Sequence, residues 1–342
     1  MELDIIAHPR ALAASGEHAR QVEEAGFGGV WWTDSGRSAY LACTASALAT
    51  TRLQIGTGIA VAFPRSPMVT AGIAWEARRG DRRPSSSASA ARSRDTSSDA
   101  TAASSRPGPR MKEYVESVKA IFRAFAGQEK LHYEGRYYHF SLLPDTWSPG
   151  PIDVPAPPVY ISAVLPYMSR LVGEVADGIH VHPFHSPAYV RDVQCKAIQE
   201  GLARSGRSIS EITFSIPIMT AVGDTDEELE RTRGHSRMMI AFYGSTRAYS
   251  PVFEHHGYAG LSDELYERQK RGDVPGMLAA VTDDVLDHYV VTSSWNDLGP
   301  TLVARYRDIG PNVRVTSYTA ADGWSDPAMR EKWSHVARAM RG

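Results

Sequence analysis

The chain has 342 residues, with 37 Lys and Arg against 39 Asp and Glu, a formal net charge of −2. That balance argues against nucleic acid or an anionic membrane as the main partner, and two cysteines, Cys43 and Cys195, are too few for a disulfide framework. The N-terminus, MELDIIAHPR, lacks the basic region and apolar core of a signal peptide, and no apolar run approaches a membrane span. These features lead us to expect a cytoplasmic protein, long enough for two average domains or one (β/α)8 barrel with insertions.

Glu2 to Ala7 reads as a first strand ending at His8-Pro9, and Leu12 to Ala25 as an amphipathic helix closed by Gly26. A second strand, Val30 to Thr33, follows Gly28-Gly29 and stops before Asp34. Tyr40 to Thr50 reads as an Ala-rich helix. Leu53 to Ala62 is a third strand bounded by Pro64-Arg65-Ser66-Pro67, and Met68 to Glu76 starts the next helix. Short, continuously apolar runs separated by helical spacing are the pattern of buried parallel strands. In such folds the residues just past the strand ends carry the chemistry, which points first to Asp34, Ser35, Phe63 and Arg65.

The pattern then fails. Residues 77–105 contain no Leu, Ile, Val, Phe, Tyr, Trp or Met. A segment with so little to bury cannot offset its ordering entropy, so disorder is expected there. Periodicity resumes with a helix over Arg110 to Phe125 and a small hairpin over His132 to Phe140, turning at Gly135. A Pro-rich loop leads to a strand over Val159 to Ser162, a helix over Met168 to Ala176 and a strand over Gly178 to Val181. Next come a helix (Ala188 to Ser205), a strand (Phe214 to Val222) and a long helix (Asp226 to Tyr243). A mostly helical insertion spans 246–297, its helical part running to Asp287. Leu298 to Asp308 is a helix, Val313 to Tyr318 a last strand, and Ala328 to Met340 a terminal helix. This alternation predicts a single α/β domain over 1–342, a (β/α)8 TIM barrel with a late helical insertion and an apparently disrupted fourth strand.

AGFGGVWWTD, LQIGTGIAVAFPRSPMVTA, RPGPRMKEYVESVKAIF, PPVYISAV and GEVADGIHVHPF, in that order, resemble the luciferase-like (bacterial luciferase) superfamily of oxidoreductases. IAFYGSTRAY and NVRVTSY resemble its deazaflavin-dependent subfamily, which uses coenzyme F420. The resemblance covers the chain outside 77–105. It implies a (β/α)8 barrel with a reduced flavin or deazaflavin over the C-terminal ends of the strands. It also implies a small-molecule substrate, a separate cofactor reductase and, by analogy, a homodimer.

The family would place a strand of the type Arg-Phe-(Ile/Val)-Leu-Gly-Leu-Gly soon after Trp75-Glu76. Read across the codon junctions from Pro84, the Ser/Ala tract is compatible with Phe-Val-Leu-Gly-Leu-Gly at Ser85 to Ala90. An out-of-frame segment in place of strand four is therefore one reading, and a true Ser/Ala-rich insertion the other. Loss of that strand would open the sheet and expose two strand edges. The alternative function is then a catalytically inactive barrel scaffold.

Gly58-Ile59 matches the step at which the family has a non-prolyl cis peptide and bulge under the flavin ring; an ordinary strand glycine is the alternative. Asp34 matches an acidic residue near the ring and substrate, and is also a plausible turn residue. Some relatives place a catalytic His directly after this acid, where this chain has Ser35. Arg65 is a candidate partner for an acidic cofactor tail, or a cap of the barrel rim. His8, at the end of the first strand, joins the cofactor-binding candidates. Ser162 and Ala163 are candidate phosphate contacts at a helix N-terminus, although close relatives carry Gly where this chain has Leu165. His180 and His182 alternate on one strand and share a face. With His185 they suggest a metal site, but no carboxylate or Cys lies at matching spacing and no metal is expected. His182 is the candidate proton donor at the strand end. Trp31, Trp32 and Tyr243 are candidates for the pocket wall or for the core, and His255-His256 reads as rim or solvent. There is no GxSxG, P-loop or strand-following GxGxxG, and no strand-end Lys of the aldolase type. The cofactor expected is coenzyme F420, with FMN as the alternative. Reduced deazaflavin would transfer hydride, whereas reduced FMN with O2 would give monooxygenation.

Overall fold

The computed structural model describes residues 1–80, 90–92, 107–318 and 323–341. Strands run over Glu2–Ala7 (β1), Gly29–Trp32 (β2), Gln54–Thr57 (β3), Ala60–Val61 (β4) and Ala90–Arg92 (β5). A hairpin follows, Tyr133–Glu134 (β6) with His139–Phe140 (β7). Tyr160–Ala163 (β8), Gly178–Val181 (β9), Thr213–Val222 (β10), Val290–Ser293 (β11) and Asn312–Ser317 (β12) complete the set. The short apolar runs become strands because both faces are covered: every residue of β2, β3 and β9 is buried.

The main sheet is parallel and runs β3-β2-β1-β12-β10-β9-β8-β5-β4. Its two end members, β3 and β4, are consecutive pieces of one run, interrupted at a cis Gly58-Ile59 peptide. The sheet is thus closed, and counting β3 and β4 as one stave gives the eight staves of a (β/α)8 barrel. Glu23 sets the start of β3 by accepting the backbone N–H groups of Thr51, Arg52 and Leu53.

Strand four differs from expectation. Ala90 and Ala91 pair with Tyr160 and Ile161, while Ala91 and Arg92 pair with Ala60 and Val61. A parallel ladder is made by backbone groups, so three residues of any composition close the gap that the missing apolar run would leave. Of the stretch from Ser85 to Ala90, only Ala90 lies within the described residues. The expectation of disorder over 77–105 also needs correction at its start. The helix Pro67–Gly80 continues through Ala77, because the buried Arg78 side chain donates to the Pro155 carbonyl at 3.1 Å.

The insertion folds as helices over Ser250–Glu254, Leu261–Lys270, Val274–Ala280 and Asp283–Tyr289, then delivers β11. That strand is absent from the sequence reading. It pairs with Met219 to Val222, the outer half of the ten-residue β10. Among the described residues no helix is long and apolar enough to cross a membrane.

Two buried polar features stand out. Inside the barrel, Asp4 accepts both Arg314 nitrogens at 2.7 and 2.5 Å and the Trp31 indole N–H at 2.9 Å. Between barrel and outer helices, His18 sits edge-on to Trp32 and Trp324, with neither ring nitrogen hydrogen-bonded among the described residues.

Candidate active site

A cavity of about 560 Å³ opens at the C-terminal ends of the barrel strands. β1 contributes Ile6 and the following His8; β2 leads into Thr33, Asp34 and Ser35; the β3–β4 junction supplies Gly58 and Ile59. Ser162 to Leu165, His180 to Pro183 and Tyr318 border it from β8, β9 and the end of β12, and Tyr243 and Tyr249 close it from the insertion side. Of the proposed site residues, Asp34, His182, His8, Gly58, Ile59, Ser162 and Ala163 all line this one cavity. Arg65 does not; it lies behind Asp34.

Asp34 is held from four sides. Arg65 donates to its two oxygens at 2.8 and 3.2 Å, and the Val61 and Ala39 N–H groups donate at 3.2 and 3.4 Å. Burial works against the charged form, but Arg65 and the two N–H groups outweigh it, and the carboxyl stays below the usual Asp range. Asp34 is therefore a fixed anion at neutral pH. The guanidinium of Arg65 also donates to the Val61 carbonyl at 2.9 Å and lies 5.2 Å from the Tyr40 ring centre. This ion pair clamps the loop after β2 to the β4 end of the third stave.

Gly58 is required by close approach: a Cβ there would sit 2.6 Å from Trp31 Cβ. Trp31 cannot yield easily, since it is buried and tied to Asp4. His8 Nδ1 lies 2.8 Å from Thr33 Oγ1 and 3.0 Å from Ser35 Oγ, and these two hydroxyls are 2.8 Å apart. Ser35 thus helps to orient His8 at the rim.

His182 Nδ1 accepts the Phe184 N–H at 3.0 Å. In the neutral ring the proton then belongs on Nε2, which can donate a hydrogen bond into the cavity. The Tyr243 and Tyr249 rings flank it, each 4.9 Å away between centroids. The hydroxyls of Tyr243 and Tyr318 hydrogen-bond to each other. His180, on the same strand face, is buried, edge-on to Trp31 at 4.7 Å, and desolvation pushes its pKa down to about 3. Among the described residues no three His, Cys, Asp or Glu side chains converge as metal ligands.

The helix Pro166–Val175 begins at the cavity without a side-chain cap, so its first N–H groups suit a phosphate. Leu165 has φ −99°, an ordinary conformation that imposes no backbone strain. Tyr318 and Tyr249 were missed in the sequence. Tyr318 was accessible to the strand-end rule, being the residue just past β12; Tyr249 carried no such signal.

The sequence profile of the luciferase-like monooxygenase family matches residues 4–79 and 90–312. The chain belongs to that family. Its relatives include the uncharacterized protein Rv1360 of Mycobacterium tuberculosis, 35% identical over 324 residues, covering 94% of this chain and 95% of that protein. An F420-dependent glucose-6-phosphate dehydrogenase of Nakamurella multipartita is 30% identical over 190 residues, 54% of this chain and 50% of that protein. The coenzyme F420-dependent tetrahydromethanopterin reductase of Methanopyrus kandleri superposes with a TM-score of 0.74 at 18% identity, covering 99% of this chain and 98% of that one. That likeness establishes the barrel architecture.

Proposed function

We propose that this chain is an oxidoreductase that uses coenzyme F420 to transfer hydride to or from a small organic substrate. The observation that carries the proposal is the cavity itself. It assembles Gly58-Ile59, His8, the uncapped helix start and His182 at the strand ends, in a chain of this family with an F420-dependent relative. Its size fits an organic ligand with a ring system. A buried polar atom, Nε2 of His180, has no protein partner beside it among the described residues.

The coenzyme, when bound, supplies the hydride chemistry at its ring. The chain's own residues position and polarise. Ile59 and Gly58 support the ring, while Ser162, Ala163 and the helix start hold the phosphate. Asp34, kept charged by Arg65, fixes the rim and presents a constant negative charge to the reacting centre. Nε2–H of His182 would donate a hydrogen bond to the substrate heteroatom and so polarise it.

With a substrate found by screening small carbonyl and imine compounds against reduced F420, His182→Phe is expected to lower kcat about a hundredfold, with a smaller change in KM. Steady-state kinetics of the two proteins check this. An unchanged kcat removes His182 from the polarising role. Oxygen uptake with reduced FMN, and none with F420, would instead favour monooxygenation.

A further inference from the structure

His180 lines the cavity, and the proposed chemistry does not yet use it. It lies in the middle of β9, two residues before His182 and on the same face. It is only 4% exposed, yet it lines the cavity. Its ring packs against aromatic neighbours, Trp31 at 4.7 Å and 82°, and Tyr160 at 5.6 Å. Trp31 is fixed in turn by the Asp4 carboxylate, itself locked to Arg314. The imidazole is therefore rigidly placed, while its Nε2 has no hydrogen-bond partner among the described residues.

A neutral imidazole has one donor and one acceptor, and an orphaned one is a cost to the empty protein. Pure packing would be served better by Phe or Leu at this position. The neighbouring cavity is where a missing partner can come from.

We propose that His180 is a ligand-binding residue whose imidazole hydrogen-bonds the polar, carbonyl-bearing edge of the ring bound in the cavity. The inference rests on the deazaflavin reading of the site. Desolvation keeps the imidazole uncharged through the neutral range, so it offers a hydrogen bond without placing a positive charge beside the ring. This separates its work from that of His182, which polarises the substrate while His180 holds the ring in register. Asp4, Arg314 and Trp31 are positioning residues acting through it.

The test compares the full-length protein with His180→Phe and His180→Gln, using coenzyme F420 titrated by fluorescence quenching and thermal melts of the ligand-free proteins. His180→Phe should melt no lower than the parent, because an orphaned polar atom is removed, yet bind F420 roughly three- to tenfold more weakly. His180→Gln, which restores a polar group at the end of the side chain, should recover most of the affinity. In the unmutated protein, the ¹⁵N resonances of His180 should report a neutral ring and shift when F420 is added, a readout independent of how the variants fold. F420 binding that is unchanged in His180→Phe, with His180 resonances that stay put, overturns the proposal. If the unmutated protein binds no F420 at all, the cofactor reading fails and this proposal falls with it.

Discussion

Stability is expected to fall steeply between pH 6.5 and pH 4, before most carboxylates titrate. Three histidines are buried and resist protonation in the folded state. Burial pushes His18 down to about 4, His180 to about 3 and His185 to about 4. In the unfolded chain each would titrate near 6.5. Above that pH both states are neutral at these sites and no stability is lost. Below it the unfolded state binds protons that the native state refuses, so the unfolded state is favoured as pH falls toward the folded values. Each such proton contributes about 1.4 kcal/mol per pH unit, so three together give a slope of about 4 kcal/mol per pH unit. A slope of that size removes a typical folding free energy within a few pH units. Paired carboxylates such as Asp34, also held below the usual range, lose their contribution only at lower pH and occupy a separate window. Urea unfolding at a series of pH values measures the slope. His18→Phe should reduce it by about 1.4 kcal/mol per pH unit, because one titrating group is gone. Stability that stays flat down to pH 4.5 would show that these rings are accessible to protons in the native state.

The second large effect is expected at the opposite end of the barrel from the cavity mouth. Asp4→Ala should destabilise the protein by about 3–5 kcal/mol, the usual cost of leaving one member of a buried ion pair alone. Asp4 is fully buried. Burial opposes the charge on Arg314, and Asp4 is the main group that holds it. Trp31 would lose its indole partner at the same time. A paired replacement, Asp4→Leu with Arg314→Met, should recover much of the loss, since the isolated charge rather than the missing attraction dominates the penalty. Denaturant midpoints of the three proteins decide this. A single Asp4→Ala variant as stable as the parent would mean that water reaches Arg314.

The sequence made the barrel legible wherever both faces of a strand are covered. β1 and β9 fall on the residues expected, because continuous apolar runs between turn residues have few other uses. The Gly58-Ile59 step was recognisable from its motif, and the shared face of His180 and His182 from period-two alternation alone. What stayed hidden depends on contacts between distant parts of the chain. The third stave reads as one run, but the break between Thr57 and Ala60 shows only once Trp31 is packed behind Gly58. Arg65 could be assigned to a cofactor or to the rim until its 2.8 Å contact with Asp34, 31 residues away, was in view. The bond between Tyr243 and Tyr318 joins the insertion side to the last strand, and no local pattern announces it. β11 was masked by the helices around it, and its Val-Val-Thr run is too short to separate from a helix end. Composition suggested that the segment before β5 could not hold a strand. A closed barrel needs only backbone hydrogen bonds there, and side chains carry no record of those.

The most direct test of the account is a pair of anaerobic titrations of the purified protein, one with coenzyme F420 and one with FMN, followed by fluorescence. Saturable, stoichiometric binding of F420 and much weaker binding of FMN are expected. Binding of FMN alone, or of neither cofactor, would contradict this.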